Sequence, residues 1–430
     1  MENKKALIVD VNEKPNFMQW LFLSFQHVFA MFGATILVPV LTGYPVSVAL
    51  FASGVGTLIY TLCTNKKVPV YLGSSFAYIT AVILAVKAMD GDISAAQTGL
   101  ILVGLIYVIV AIIVKCVGKD WIDKLLPPIV IGPMIAVIGL GLASNAITNA
   151  GFVEGGDVAP MIVAIVTFLV AALISSQAKG FLKIVPFLVA IVVGYLLSLC
   201  FGIVDLSPIA KADWFAVPEF AFPFTMPKIL GTEFRQYHFY FGPETLAILP
   251  VAIVTISEHI GDHTVLGKIC GKNFLKDPGL EKTLIGDGIA TSVSALLGGP
   301  ANTTYGENTG VIGLTKIGSV YVTCGAAVIA IVLSFCGKIS AVISSIPNCV
   351  LGGMSILLYG VIASNGLRIL IDAQVDFSKQ RHLIIASAML VIGLGGAVFP
   401  LGGSATLSGT ALAAIVGVIL NCILPDKNEK

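Results

Sequence analysis

The chain carries one apolar sequence twice, as PPIVIGPMIAVIGLGLASN at residues 127–145 and as PNCVLGGMSILLYGVIASN at residues 347–365. Seven of the nineteen aligned positions are identical, and both copies end in Ala-Ser-Asn. Another match keeps the same order along the chain, because Gln26-His27 aligns with Glu258-His259. Chance similarity between apolar helices would not preserve this order. The repeat therefore predicts a chain of two related halves.

The composition indicates a membrane protein. Apolar residues make up 57% of the 430 residues and charged residues only 11%, with a mean hydropathy of +0.96. A soluble globular domain carries about 25% charged residues, so too few are present here to cover a water-exposed surface. The net charge of +1 gives no indication of nucleic-acid binding. The eight cysteines are single and lack zinc-ligand spacing, so no disulfide framework, metal or cofactor is expected.

The predicted fold class is an all-α polytopic membrane protein with fourteen transmembrane segments. A transmembrane helix needs about 20 mostly apolar residues. No apolar core followed by a cleavage site opens the chain, so we expect no removable signal peptide. The third and tenth spans are too short to cross as complete helices. The predicted spans lie near 19–42, 46–64, 75–89, 95–117, 126–147, 158–177, 181–203, 245–267, 280–298, 307–316, 320–337, 346–365, 380–397 and 404–424.

The distribution of charge predicts the orientation of these spans. Cytoplasmic loops collect Lys and Arg. With a cytoplasmic N-terminus, all 25 Lys and Arg residues fall on the cytoplasmic side except Lys87, Lys211, Lys228, Arg235 and Lys338. Both termini are therefore predicted to be cytoplasmic.

Each half holds seven predicted spans, so the second half enters the membrane upside down relative to the first. Inverted repeats of this kind are typical of transporters, which place substrate and coupling-ion sites at the repeat interface near the membrane centre. The sequence therefore predicts a transporter with a central site.

The third and tenth spans occupy matching places in the two halves. Each begins with an aligned proline in an extended run, at 68–72 and at 300–305, and then turns into a short helix near Phe76 or Gly306. Non-helical backbone at membrane depth persists only when it is buried in protein or lines a wet cavity. We therefore expect two short strands, each followed by a half-helix whose free N–H groups and positive dipole end face carbonyl oxygens or anions.

Four carboxylates within predicted spans eight to ten are candidate site residues: Glu258, Asp262, Asp287 and Glu307. An ionised carboxylate at the bilayer centre costs about 2.5–3.5 kcal/mol, and such groups are typical of proton relays. Glu258 and Asp262 are four positions apart and share one helix face. The sequence predicts that Glu258, Asp262 and Asp287 couple transport to protons, although Asp262 and Asp287 also fit a structural role beside a neighbouring helix end.

Four motifs resemble those of the nucleobase–ascorbate transporters, also called nucleobase:cation symporter type 2 proteins. The run NTTYGENTGVIGLTK at 302–316 is similar to the signature of that family. The runs SFQHVFAMFGA at 24–34, YLGSSFA at 71–77 and SEHIG at 257–261 resemble its other motifs. The likeness covers nearly the whole chain, and the Thr-Thr-Tyr-Gly-Glu-Asn form resembles the bacterial uracil-transporting branch.

The resemblance implies two domains and an outer loop. Residues 1–117 and 244–337 would form a core domain from spans one to four and eight to eleven. Residues 118–203 and 338–430 would form a gate domain, and residues 204–243 an extracellular loop. The resemblance also implies a bacterial plasma-membrane location and a homodimer formed through the gate domain.

The activity implied by the resemblance is proton-coupled symport of a nucleobase, uracil in the first place, by alternating access and without enzymatic activity. The uracil ring would lie between the two strands. Glu258 and Glu307 would accept hydrogen bonds from its N–H groups, and the backbone N–H groups of Phe76 and Gly306 would donate to its carbonyls. The residues that would enclose the ring are Ala34, Phe76, Tyr305 and Tyr359.

Two positions leave an alternative open. Acidic residues at Asp262 and Asp287 resemble the purine-transporting branch, whereas a glutamate at Glu307 does not. A xanthine or uric acid symporter of the same family is therefore the alternative. Anion transporters share the inverted-repeat architecture, but they would need a positively charged site. An enzyme is not expected, since no nucleophile–base pair accompanies the carboxylates.

Overall fold

The computed structural model describes residues 7–228, 231–402 and 405–425. Lys4, Lys5, Lys427 and Lys430, which contribute to the predicted charge distribution, lie outside these residues. The described chain is mostly helical. Its α-helices are α1 (Phe17–Thr42), α2 (Val46–Cys63), α3 (Ile79–Ala88), α4 (Ser94–Val117), α5 (Asp120–Leu125), α6 (Pro128–Gly141), α7 (Ala143–Asn149), α8 (Val158–Gln177), α9 (Pro186–Cys200), α10 (Ser207–Lys211), α11 (Pro243–Leu246), α12 (Val251–Cys270), α13 (Leu280–Leu296), α14 (Gly306–Thr315), α15 (Val320–Ser334), α16 (Gly337–Ser344), α17 (Asn348–Asp372), α18 (Gln380–Leu394) and α19 (Gly409–Ile423).

Short helical turns and strands complete the described secondary structure. Two 3₁₀ turns span Phe76–Tyr78 and Gly180–Ile184, and a π-helical turn spans Leu275–Gly279. Three two-stranded sheets pair β1 with β4, β2 with β3, and β5 with β6. The strands are β1 (Leu72–Ser74), β2 (Ala221–Phe222), β3 (Arg235–Gln236), β4 (Asn302–Thr304), β5 (Phe399–Gly402) and β6 (Ala405–Leu407).

Helix boundaries follow the capping chemistry of the sequence. Asn16 begins α1, because its side-chain oxygen accepts a hydrogen bond from Gln19 N at 2.9 Å. Gly43 ends α1 with a φ of 78°, a left-handed conformation that glycine adopts without strain. Prolines precede or open α2, α6 and α17, where a missing N–H costs no helical hydrogen bond.

Each predicted span contains helix. Seven helical segments are long and apolar enough to cross a membrane by length and composition. They are Phe17–Thr42, Val46–Cys63, Ser94–Val117, Pro128–Asn149, Val158–Gln177, Pro243–Cys270 and Asn348–Asp372. The total of fourteen crossings stays a prediction.

The strand content differs from the sequence expectation of two short strands. The described residues also contain β2 and β3 inside the 204–243 loop, and β5 and β6 before the last helix. Span fourteen was predicted to begin at 404, but α19 begins only at Gly409. Ser408 caps α19 by accepting a hydrogen bond from Ala411 N at 3.3 Å, and Pro400 and Gly402 disfavour helix in the segment before it.

Helices from the two halves of the chain pack against each other at glycines. A Cβ atom at Gly104 on α4 would lie 2.3 Å from Gly288 O on α13, and one at Gly288 would lie 2.5 Å from Gly104 O. Only the absence of both side chains lets these backbones approach so closely. In the same group, α2 packs on α13 and α15, and α1 packs on α15.

A second group of helices is joined in the same way. A Cβ atom at Gly139 on α6 would lie 2.4 Å from Tyr359 O on α17, and one at Gly353 on α17 would lie 2.3 Å from Ala164 O on α8. Helix α18 packs on α19 and α6. The two groups meet where α12 contacts α6 and α19.

An N-terminal strap, residues Leu7–Val11, lies across the end of α14. Ile8 N donates to Lys316 O at 2.7 Å, and Val320 N donates to Val11 O at 2.9 Å. The first and last residues of the strap are buried against apolar side chains of α12 and α14. The strap thereby ties the start of the chain to the half-helix of span ten.

Candidate functional site

The centre of the molecule is a two-stranded antiparallel sheet made from both halves of the chain. Strand β1 pairs with β4 in the register Leu72↔Thr304, Gly73↔Thr303 and Ser74↔Asn302. Backbone bonds continue the pairing on both sides, from Ser75 N to Ala301 O at 2.9 Å and from Tyr305 N to Tyr71 O at 3.1 Å. The sheet places the starts of the two half-helices next to each other.

Side chains of the neighbouring helices satisfy the outer edges of this sheet. Leu72 N donates to Thr57 Oγ1 on α2 at 2.9 Å, and Thr291 Oγ1 on α13 donates to Asn302 O at 2.6 Å. The Asn302 amide donates to Ala52 O at 2.8 Å. These bonds help non-helical backbone to remain buried, since they give partners to backbone groups at the sheet edges.

The two half-helices begin at the predicted residues. Phe76 opens the 3₁₀ turn that leads into α3, and Gly306 opens α14 with Glu307 in its first turn. The first N–H groups of a helix have no partner within it. A Cβ atom at Gly306 would meet no atom within 4 Å, so open space lies in front of this helix end.

Glu258 and Glu307 are partly buried carboxylates that face one region. Glu258 lies close enough to Asp262, Glu307 and Asp287 to interact with each of them electrostatically. In the described part of the chain, neither Glu258 nor Glu307 forms an ion pair or a side-chain hydrogen bond with another residue. Buried carboxylates without a protein partner are suited to binding a ligand that donates hydrogen bonds.

Asp262 and Asp287 differ from these two glutamates because each has a protein partner. Thr304 Oγ1 in β4 donates to Asp262 Oδ2 at 2.7 Å. Asp287 is fully buried, and its Oδ2 lies 2.8 Å from His259 Nδ1. Asp262 is thus linked to the central sheet, whereas Asp287 is linked through His259 to an adjacent face of α12.

Two of the predicted aromatic residues line the gap between the helix groups. Phe76 and Tyr359 meet edge to face with ring centroids 6.2 Å apart. Tyr359 is 2% exposed, and its hydroxyl makes no well-formed hydrogen bond to a described residue, with Ser355 of the same helix as the polar side chain beside it. Ala34 on α1 is also buried, at 2% exposure.

Tyr305 is fixed above the sheet by its hydroxyl group. The hydroxyl donates to Ser74 O at 3.0 Å and accepts from Thr35 Oγ1 at 3.1 Å. Its ring covers Gly73, where a Cβ atom would lie 2.4 Å from the ring. Glycine at position 73 is therefore required for this ring to lie on the strand.

Several polar groups around the sheet were not predicted from the sequence. Asn308 donates to His27 Nδ1 at 3.0 Å and to His27 O at 3.1 Å, which joins α14 to α1. The sequence did single out both residues, because Asn308 lies in the signature run 302–316 and His27 in the motif at 24–34. Buried oxygen atoms without a partner among the described residues also cluster here, on Ser74, Ser75, Asn302 and Asn308.

In the described part of the chain, at residues 7–228, 231–402 and 405–425, the His, Cys, Asp and Glu side chains form no group of three or more suited to a metal centre. A cavity of about 330 Å³ lies elsewhere, under the 204–243 loop beside α16, and shares no residue with the central site.

The sequence matches a known protein family over most of its length. Residues 18–402 match the sequence model of xanthine/uracil permeases, described as "Permease family". The chain belongs to this permease family. The match spans most of both repeats and confirms the resemblance to nucleobase transporters.

Named relatives of this permease are similar over nearly their whole length. It is 52% identical over 426 residues to the uracil permease of Bacillus caldolyticus, covering 98% of this chain and 96% of the relative. It is 48% identical to the uracil permease of Bacillus subtilis (strain 168), covering 100% and 98%. It is 42% identical to the uracil permease of Escherichia coli (strain K12), covering 96% and 93%.

Solved structures with the same fold come from more distant transporters. The permease superposes on the transmembrane domain of the cyanobacterial bicarbonate transporter BicA with a TM-score of 0.63 at 16% identity, covering 96% of this chain and 99% of the other. It superposes on murine Slc26a9, an anion transporter in the inward-facing state, with a TM-score of 0.69 at 12% identity, covering 95% and 69%. The permease is therefore a multi-pass membrane protein with the fold of these transporters.

Proposed function

We propose that this permease imports uracil together with protons by alternating access, across the plasma membrane of a bacterium. The observation that carries the proposal is the pair of partnerless carboxylates, Glu258 and Glu307, beside the free N-terminal ends of two half-helices. The names of the relatives support uracil as the substrate.

A uracil ring complements this site group by group. The ring presents two N–H donors and two carbonyl acceptors in one plane. Glu258 and Glu307 accept from the N–H groups, while the backbone N–H groups of Phe76 and Gly306 donate to the carbonyls. The rings of Phe76, Tyr305 and Tyr359, with Ala34 at the edge, form the aromatic and apolar enclosure that a planar ligand favours.

Proton coupling follows from the electrostatics of the same site. Glu258 interacts with the carboxyl groups of Asp262 and Glu307, and like charges held together out of water are favoured only when protons are bound. No lysine or arginine of the described residues forms an ion pair with Glu258, Asp262 or Glu307. A proton taken up at Glu258, with Asp262 one turn away, therefore accompanies the substrate and leaves on the cytoplasmic side.

Alternating access uses the two groups of packed helices as moving bodies. In this proposal, residues 1–117 and 244–337 form a core domain that carries both carboxylates. Residues 118–203 and 338–430 form a gate domain that supplies Tyr359. Motion of one against the other separates Tyr359 from Phe76 and opens the site, and gate domains of two copies form a dimer.

The test is uptake of radiolabelled uracil into proteoliposomes with an imposed inward proton gradient. The parent accumulates uracil above equilibrium. Glu307→Ala raises the apparent KM at least about tenfold, because a charge-assisted hydrogen bond contributes about 1.5–3 kcal/mol. Glu154→Ala is the control, because Glu154 is exposed and distant in sequence from Glu258 and Glu307. Its apparent KM equals that of the parent. If uracil uptake by the parent does not depend on the proton gradient, the symport proposal is contradicted.

A second candidate is a xanthine or uric acid symporter, favoured by the acidic residues at 262 and 287. Both bases also present N–H and carbonyl groups in one plane. A competition experiment separates the two candidates. If the substrate is uracil, excess unlabelled uracil suppresses the uptake of labelled uracil, and excess xanthine leaves that uptake unchanged. Suppression by xanthine at equal concentration supports the purine alternative.

A further inference from the structure

A group of buried polar side chains lies on a face of α12 about 100° around the helix axis from Glu258 and Asp262. We call it the histidine cluster. It joins α12 to α13 and to α2, and it contains no residue that faces the proposed substrate. Its members are Tyr60, His259, His263, Thr283 and Asp287.

We propose that Asp287 carries a permanent proton, which Oδ2 donates to His259 Nδ1, and that this neutral pair positions Glu258 rather than carrying the coupled proton. The inference rests on the proposed function, because it assigns roles within the proton-coupled site.

The proton on Asp287 follows first from the partners of His259. Its Nε2 lies 2.9 Å from Thr283 Oγ1. Thr283 has a single hydroxyl hydrogen, which points to Leu280 O at 3.0 Å. His259 Nε2 must therefore be the donor to Thr283, and a neutral imidazole then has an unprotonated Nδ1 that accepts. The group that donates to Nδ1 is Asp287 Oδ2, at 2.8 Å.

The surroundings of Asp287 support the same proton position. Both side chains of the pair are 0% exposed. Asp287 Oδ1 has no hydrogen-bond partner among the described residues, and no lysine or arginine of those residues pairs with Asp287. An ionised carboxylate with one bare oxygen in this place would be far more costly than a neutral acid.

Among the described residues, the titratable groups that interact with Asp287 from the packed helices include no lysine or arginine. They are the carboxyl groups of Glu258 and Asp262 on α12, which further disfavour a charge on Asp287, and the neutral groups Tyr60 on α2, Tyr78, Tyr107 on α4 and the two histidines on α12. His263 Nδ1 donates to His259 O at 2.7 Å, so its Nε2 accepts from the Tyr60 hydroxyl. The rings of His259 and His263 stack with centroids 4.0 Å apart. One tautomer of each histidine thus satisfies all four ring nitrogens of the cluster without a charge.

This cluster fixes the rotation of α12 about its own axis. Successive residues on a helix point about 100° apart. When both ring nitrogens of His259 are bonded to α13, the preceding residue, Glu258, is held pointing into the substrate site. His263 adds a second attachment one turn later, to α2. The pair acts on transport through Glu258 and is therefore a positioning device.

The experiment compares carboxylate-to-amide variants in proteoliposomes. Two assays are used: uracil accumulation driven by a proton gradient, and counterflow exchange of uracil, which needs binding and translocation but no net proton movement. Asp287→Asn retains both accumulation and counterflow, with the pH profile of the parent, because the asparagine amide donates to His259 Nδ1 as the protonated acid does. Asp287→Ala removes the donor and raises the apparent KM about tenfold. Glu258→Gln, the matched amide control, loses accumulation.

Each other outcome also decides the proposal. Loss of accumulation with retained counterflow in Asp287→Asn overturns it, because Asp287 then carries the coupled proton. If Asp287→Asn is inactive in both assays, NMR of the parent protein labelled with ¹⁵N-histidine tests the proposal. The His259 signals are identified by their absence from the spectrum of His259→Gln. A neutral Nε2–H tautomer across the pH range of transport supports the proposal, and an imidazolium overturns it. A parent without uracil uptake would instead contradict the proposed function.

Discussion

At the scale of single residues, the Tyr359 hydroxyl is a buried polar group that makes no well-formed hydrogen bond to a described residue. Tyr359 is 2% exposed, and its ring touches Phe76 across the proposed site. A buried hydroxyl without a hydrogen bond costs about 1–3 kcal/mol. A protein can retain such a hydroxyl where a ligand or an ordered water supplies the missing hydrogen bond.

We therefore expect Tyr359→Phe to separate stability from transport. Removing a hydroxyl without a well-formed hydrogen bond leaves the melting temperature of the purified protein unchanged or raises it, while the KM for uracil rises about threefold to tenfold. Tyr71→Phe is the matched control. Its hydroxyl lies 3.2 Å from Ser53 Oγ, so its loss lowers the melting temperature but leaves KM unchanged. A Tyr359→Phe protein with parental KM places the hydroxyl outside the binding site.

Not all roles of single residues could be predicted from the sequence. Glu258, Glu307, Phe76 and Gly306 fall within motifs, and their types match the chemistry of a planar ligand. The pairing of Asp287 with His259 was not predicted, because the two residues lie on different helices and no pattern reports how one helix is rotated against another. In the structure, the hydrogen bonds of His259 to Asp287 and Thr283 reveal that rotation.

At the scale of elements, glycines decide how closely the helices of the two halves approach. Gly104→Ala would place a methyl group 2.3 Å from Gly288 O, which the two backbones cannot relieve without moving apart. We expect a loss of about 1–3 kcal/mol in stability, measured as a lower melting temperature in detergent. Gly360→Ala is the control, since its Cβ atom meets nothing within 4 Å. Equal melting temperatures for the two variants contradict close packing at Gly104.

The N-terminal strap offers a second comparison at this scale. Val11 is 1% exposed, whereas Ile8 in the same strap is 74% exposed. Truncation of the buried side chain in Val11→Ala should cost about 1–3 kcal/mol, and Ile8→Ala should cost almost nothing. Thermal unfolding of both variants measures the difference. Identical curves mean that the strap does not pack on α12 and α14 in the membrane.

The strands show where sequence patterns fail at the level of elements. The extended runs before Phe76 and Gly306 were marked by aligned prolines and by their position in the repeat. The β5–β6 pair has no repeat counterpart among the quoted motifs, and its apolar residues resemble the start of a helix. Pro400, Gly402 and the capping of α19 by Ser408 separate the two strands from the helix that follows them.

At the scale of the whole molecule, the orientation in the membrane is open to direct test. The charge distribution places the α7–α8 connection outside and α5 inside. On a background in which the eight cysteines are replaced by serine, a membrane-impermeant maleimide added to intact cells should label Glu154→Cys and not Asp123→Cys. Both positions are exposed, so access differs only by side. The reverse labelling pattern would invert the predicted topology.

The pairing of β1 with β4 has a consequence for how the protein is made. Leu72 is synthesised 232 residues before Thr304, its partner in the sheet. At about 5–20 residues per second, the ribosome needs roughly 10–50 seconds to cover that distance. During this interval the β1 backbone in the nascent chain remains unpaired. We expect insertion chaperones to shield it until the second repeat has been synthesised.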